Sequence, residues 1–302
     1  MIRYTRKEID VIRNKHITFK ISDSVLNIIS SIVHEVGSPS YIKTPSFTKR
    51  KRKNHDSEES FDNGASSYIK KDKNILEEIQ TVLNKISGEK TYEKLKSQLL
   101  DLIGNMEETE KISFRDVTRN IYEIASNQAY NVPLYARLYN DICIIHPSFR
   151  DHCIDEYNNH MDKFLNIQIV NPESDYDGFC KANRLNEQVR TISKFYSELI
   201  KFDILNIDHI MKLIFMMQDK LLECGKMDTP ETNPCIEYSE NIFVLVTGTL
   251  DKLRLSESWE SIYDNINIVR NIDKKVNKNI TSKVIFKHMD ILDIIKKVLA
   301  KK

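Results

Sequence analysis

Seven glycines and seven prolines are all that punctuate 302 residues, about 2% each where an average chain carries roughly 7% and 5%. Tight turns and phosphate-cradling loops lean on these two residues. A sandwich or barrel needs a turn every 8–12 residues or so, and a doubly wound fold needs glycine-rich strand-to-helix turns, so both fit poorly. Helices with short connections remain. At 40% hydrophobic and 29% charged residues, the chain has enough apolar material for a sizeable core, and its length allows two domains or one long helical array.

Helical periodicity sets in after Asn74. Ile75, Leu76, Ile79, Val82, Leu83 and Ile86 share one face, and Tyr92, Leu95, Leu99, Leu102 and Ile103 repeat the stripe beyond a break at Ser87-Gly88, where Ser87 is expected to cap the second helix. Further periodic segments fall at 113–127, 132–145, 148–166, 186–202, 206–223, 237–254, 258–272 and 282–300, with polar stretches at 167–185 and 225–235 read as loops. No tight repeat of 33 or 34 residues is visible, and the degenerate spacing of about 40 residues per hairpin suits HEAT-type stacking. The expected fold is all-α: a HEAT-like α-solenoid of about five antiparallel helix pairs over 73–302, preceded by short N-terminal helices in 1–36 and a disordered linker over 37–72.

The N-terminal segment carries two amphipathic pieces. Tyr4, Ile9, Val11 and Ile12 sit among charges in the first, and Val25, Leu26, Ile28, Ile29, Ile32 and Val33 form the second, which Asp23 or Ser24 can cap. Helices this short are marginal alone and call for a partner surface. From Gly37 the composition turns to Ser, Pro, Asn, Asp and Lys, too poor in apolar residues to offset the entropy of ordering. The linker holds the basic run Lys49, Arg50, Lys51, Arg52 and Lys53, open to three readings: a nuclear localisation signal, a contact to a phosphate backbone, or a solvated charge run. With a net charge of only +1, any RNA contact would have to be local and salt-dependent.

Signatures of catalysis are missing: there is no Walker A, GxGxxG, GxSxG or HExxH pattern. Ser87-Gly88-Glu89-Lys90 matches SxxK but lacks the accompanying SDN and KTG elements. Cys153 and His160 share a helical face, yet seven residues at 1.5 Å rise separate them by about 10 Å, too far for one zinc ion. Cys153 is read as core, and His146, His152 and His160 as partly exposed. Carboxylates lie opposite lysines on polar helix faces, as in Glu77, Glu78 and Lys85, or Asp290, Asp293 and Lys297. Hence no catalytic residue, metal or cofactor is expected. Cys143, Cys153, Cys180, Cys224 and Cys235 form no CxxC pair, and no signal peptide opens the chain, which points to reduced thiols and a cytoplasmic protein. Apolar runs such as 213–217 fall far short of the ~18 residues a bilayer requires, so no membrane association is expected.

Leu83-Asn84-Lys85-Ile86-Ser87-Gly88-Glu89-Lys90, followed by Tyr92-Glu93-Lys94-Leu95 and Gln98-Leu99-Leu100, resembles the opening hairpin of the middle domain of eukaryotic translation initiation factor 4 gamma, which reads LNKLTPEKF and then DKL and ELL. Tyr135-Ala136-Arg137-Leu138 resembles the family's YAQL, and Phe195, Glu198 and Leu199 its FIGEL. Ser282-Lys283-Val284-Ile285-Phe286 with Met289 and Ile291-Leu292-Asp293 resembles its closing SSRIRFMLQDVLDL. These patches span about residues 74–300 in the family's order. Near the start, Tyr4 and Ile9 resemble the YxxxxL motif by which this family binds the cap-binding protein, initiation factor 4E. Here Ile9 stands for Leu and Asp10 for an apolar residue, with Val11 or Ile12 supplying the missing contact if the register shifts.

The resemblance implies a monomeric translation-initiation scaffold that joins a cap-binding protein of factor 4E type to a DEAD-box helicase of factor 4A type and to mRNA. Tyr4, Ile9, Val11 and Ile12 would contact the cap-binding protein, and the run 49–53 the RNA. The helicase would meet the rim carrying Asn105, Met106, Ile112, Pro147 and Phe149, with Lys278 and Lys283 touching its other lobe. Burial of Ile112 and Phe149 as core caps is an equally open reading. The alternatives are a decoy that represses translation through the same contacts, or a related middle-domain adaptor of RNA decay, splicing or the nuclear cap complex.

Overall fold

The computed structural model describes residues 5, 7, 22–36, 67–106, 113–228 and 233–300. The chain divides into two compact units, Met1–Asp62 and Asn63–Lys302. In the first, helix α1 spans Asp23–Val36, and its stripe of Val25, Leu26, Ile28, Ile29, Ile32 and Val33 is 44–65% exposed.

Among the described residues, the second unit holds ten helices: α2 (Ser67–Asn84), α3 (Glu89–Gly104), α4 (Phe114–Ser126), α5 (Val132–Ile145), α6 (Phe149–Leu165), α7 (Tyr176–Lys201), α8 (Ile207–Gly225), α9 (Cys235–Leu253), α10 (Trp259–Arg270) and α11 (Ser282–Leu299). They follow one another as five hairpins in two layers, four of them closely packed pairs and the third, α6 with α7, joined through the rings of Tyr157 and Phe164 against Tyr196. The first helices of the hairpins, α2, α4, α6, α8 and α10, each pack on the next of their kind, and so do the second helices, α3, α5, α7, α9 and α11. This is an all-α solenoid, with no strand among the described residues.

Amphipathic stripes explain the stacking, because a helix of this length gains its stability from the face it buries. Ile79, Val82, Leu83 and Ile86 meet Tyr92, Leu95, Leu99 and Ile103 in the first hairpin, all at most 8% exposed. Farther along, Ile210, Leu213, Ile214 and Met217 of α8 and Ile242, Leu245 and Val246 of α9 are buried completely. The centre is aromatic instead. The Tyr122 ring of α4 stands edge-on to Tyr139 (6.3 Å between centroids) and Phe195 (5.1 Å), and its hydroxyl is 3.0 Å from the Cys153 thiol. Where α7 and α9 come closest, small polar residues replace large apolar ones. Ser193 Oγ donates to Asn241 Oδ1 at 2.7 Å, and a Cβ on Gly248 would fall 2.8 Å from Ser197 Cβ, so that crossing needs glycine.

Few glycines mean that the helices end by other means. None of the described glycines has positive φ. Asn127 and Asn166 instead turn their Nδ2 back to the carbonyls of Glu123 (2.8 Å) and Asp162 (3.0 Å), satisfying acceptors that a helix C-terminus leaves free. Helix starts follow the usual chemistry: Asn206 accepts from the Asp208 amide, and Ser113 donates through both its amide and its hydroxyl to Asp116.

Four local expectations are corrected. The N-cap of α3 is Gly88, without a side-chain cap, and Ser87 is exposed. The stretch read as a loop over 167–185 is helical from Tyr176, because Asp175 accepts the Gly178 amide at 2.8 Å and starts α7 ten residues earlier. His160, read as partly exposed, is 8% exposed and stacks on Tyr122. Helix α2 also begins at Ser67, inside the segment 37–72 assigned to the linker.

Candidate protein-interaction surface

Stacked hairpins present two rims. Among the described residues, the turns within hairpins, at 85–88, 127–131, 166–175, 226–228 with 233–234, and 271–281, lie on one; the connections between hairpins, at 105–106 with 113, 146–148, 202–206 and 254–258, lie on the other. The first will be called the amide rim and the second the loop rim.

On the amide rim, polar side chains reach to backbone carbonyls of the neighbouring hairpin. Asn131 Nδ2 donates to Ile86 O (3.2 Å), Lys194 Nζ to Ala129 O (2.8 Å), Asn233 Nδ2 to Asn279 O (2.6 Å) and Asn279 Nδ2 to Cys224 O (3.0 Å). Tyr135 and Tyr238 add hydroxyl bonds to Leu83 O and Leu165 O. Carbonyls at helix ends are thereby consumed within the molecule.

The loop rim is built differently. Phe114 packs its ring 5.3 Å from His146 and 5.0 Å from Phe149, which brings the first two connections side by side. Arg150 donates to Asp203 O (2.7 Å), and Lys252 donates to Ile200 O and Asp203 Oδ1. Asp203 is the one non-glycine residue with positive φ (55°) among those described. An Asp tolerates that conformation better than most side chains, and the hydrogen bond and charge of Lys252 hold its carboxyl below the ordinary carboxylate range. The same rim carries exposed apolar residues: Ile144 (67%), Ile145 (55%) and Leu255 (80%).

The residues expected on this rim fare unequally. Asn105 and Pro147 are exposed. Met106 is 8% and Phe149 0% exposed, so both belong to the core and not to a contact surface. Met106 closes the first hairpin, and Phe149 is held among Phe114, Tyr139 and His152. Ile112 lies outside the described residues, as do Tyr4, Ile9, Val11, Ile12 and the run 49–53. Lys278 and Lys283 are exposed, but on the opposite, amide rim and its edge. Lys278 pairs with Asp228, and Lys283 bears electrostatically on Glu237. Ile144, Ile145 and Leu255 were not foreseen. Ile144 falls off the Tyr135-Leu138-Ile142 stripe, a clue that was readable in the sequence.

Among the described residues, no group of three or more His, Cys, Asp or Glu is placed to hold a metal ion, and no helix is long and apolar enough to cross a membrane. Burial pushes the Cys143 thiol up to about 11 and those of Cys153 and Cys235 up to about 12, which keeps them protonated at neutral pH. Compared with family models and with curated proteins, the sequence matches none.

Proposed function

We propose that this protein is a translation-initiation scaffold that joins a cap-binding protein of factor 4E type to a DEAD-box helicase of factor 4A type and to mRNA, with the loop rim as the helicase-docking face. The reading rests on the ordered resemblance patches, and the observation that carries the choice of face is the exposure of Ile144, Ile145 and Leu255 there. Such a scaffold works by differential binding: it favours one arrangement of the helicase lobes and shifts the population without chemistry of its own. Tyr4 and Ile9 would anchor the cap-binding protein, and Lys49 to Lys53 the RNA.

The test is co-precipitation of the full chain with purified helicase, together with stimulation of the helicase ATPase. Replacing Ile144, Ile145 and Leu255 together by Asp should weaken association about 30-fold or more, the effect of losing about 2 kcal/mol of interface energy. Undiminished association sinks the choice of face, and no association by the wild-type chain sinks the helicase. Tyr4→Ala/Ile9→Ala should independently abolish capture of the cap-binding protein.

A further inference from the structure

The amide rim changes character where it ends, at the turn between α10 and α11. Residues 270–283 carry Arg270, Lys274, Lys275, Lys278 and Lys283 against one carboxylate, Asp273, in a chain whose net charge is only +1. The preceding turn does not neutralise them. Residues 226–234 offer Asp228 and Glu231 but also Lys226, so the two stretches together keep an excess of three positive charges.

All five cations of the last turn are exposed. Among the described residues, only Lys278 of the five forms an ion pair, with Asp228 at 2.5 Å. Lys274 Nζ donates to an uncharged partner, Ser282 Oγ, at 2.7 Å. Asp273 uses Oδ1 to accept the Lys275 amide at 2.9 Å, which closes the turn, and the first turn of α11 holds Lys283 and no acidic side chain. Arg270, Lys274, Lys275 and Lys283 are therefore left without a counter-charge within ion-pair distance.

The fold holds this charge in place. The Asn279 amide donates to Gly225 O (3.3 Å), its Nδ2 to Cys224 O (3.0 Å), and Asn233 Nδ2 to Asn279 O (2.6 Å), so the last turn is fastened to the one before it. The amides of Val276 and Asn277 donate to Asp273 O at 3.2 and 3.0 Å. A fastened turn has little backbone freedom left to lose when a partner binds.

Charge of one sign on a rigid corner selects an anionic partner. Two further features choose its class. Val276 stands among the cations at 69% exposure, with Met227 at 46% on the neighbouring turn. Neither stretch contains a Phe, Tyr or Trp, so the surface has no ring on which a nucleic-acid base could stack. A phosphate backbone would leave Val276 uncovered, whereas a polypeptide can bring an apolar side chain together with its carboxylates.

We propose that this turn docks an acidic segment of a partner polypeptide, its carboxylates on Arg270, Lys274, Lys275 and Lys283 and an apolar side chain on Val276. This docking is independent of the helicase at the loop rim.

Fluorescence anisotropy with the full chain, at about 50 mM salt, tests it with four labelled probes: a capped ten-residue Gly/Ser peptide bearing the run Asp-Glu-Leu-Glu-Asp, its Asn/Gln counterpart, its counterpart with Ser for Leu, and a pentauridylate matched to it in charge. The acidic peptide should bind at least about tenfold more tightly than the Asn/Gln peptide, and about 200 mM salt should weaken it several-fold. Arg270→Ala/Lys274→Ala/Lys275→Ala should weaken it about tenfold or more, whereas Lys296→Ala/Lys297→Ala, at the far end of α11, should leave it unchanged. Val276→Ser should weaken the Leu peptide about threefold and not the Ser peptide, a coupling that a solvated charge run does not produce. Equal binding of the Asn/Gln peptide, undiminished binding by the triple variant, no difference between the Leu and Ser peptides, or pentauridylate binding as tightly as the acidic peptide would each overturn the proposal, the last in favour of nucleic acid.

Discussion

On the amide rim of the solenoid, Asn131, Asn233 and Asn279 cross from one hairpin to backbone carbonyls of another; on the loop rim, Ile144, Ile145 and Leu255 stand in solvent, and Arg150 and Lys252 converge on Asp203. Both rims terminate the same helices, yet one spends its polar groups inside the molecule and the other leaves apolar surface uncovered. The difference follows from burial. Asn279 is 1% exposed, and a half-satisfied carbonyl there would cost more than a solvated one. Leu255, at 80% exposure, contributes almost nothing to the core.

Acid reaches the end of the solenoid first. His288 of α11 is fully buried, and burial lowers its pKa to about 4. The ring is neutral when folded, while the unfolded chain takes up a proton near pH 6.5, so stability is intact above that value and falls as the pH drops from about 6.5 to 4. The loss amounts to roughly 3 kcal/mol. Urea midpoints measured across that range should show it, and His288→Leu should flatten that limb. Next, Asn279→Ala should lower stability by about 2 kcal/mol by removing a buried side-chain bond to the Cys224 carbonyl and leaving a void behind it, whereas Asn131→Ala, at a half-buried site, should cost about 1 kcal/mol. Ile144→Ser and Ile145→Ser should each stay within about 0.5 kcal/mol. If the isoleucine variants unfold as readily as Asn279→Ala, the two rims are not different in kind. The smallest effect belongs to Asp203. Its lowered pKa adds stability that is present above the unfolded carboxyl value and lost as the pH falls through the folded one. Asp203→Asn should therefore flatten the stability curve only below about pH 4, and added salt should mimic part of the change.

Much of the solenoid was legible because each stripe is a local pattern. Ile79, Val82, Leu83 and Ile86 announce a buried face by spacing alone, and the later stripes set the number of hairpins. Polar residues that become core gave no such warning. Ser193, Ser197, Asn241 and Thr249 lie between α7 and α9 at most 4% exposed, because that crossing is too close for large side chains. Met106 misled in the opposite way: an apolar residue in a polar stretch reads as a contact, but it folds back onto its own hairpin. The start of α7 was hidden because residues 176–185 carry little apolar periodicity, and the Asp175 cap alone marks it.

The shortage of glycine and proline, together with the 3.6-residue period, determined that this chain is a stack of helices, since propensity and patterning act over a few residues and are written in order along the chain. Tertiary structure alone decided which polar groups are buried and which apolar ones are not. The depth of Glu156, the bond from Asn279 to Cys224 and the exposure of Ile144 depend on which residues a distant segment brings opposite them, and on how closely two helices approach.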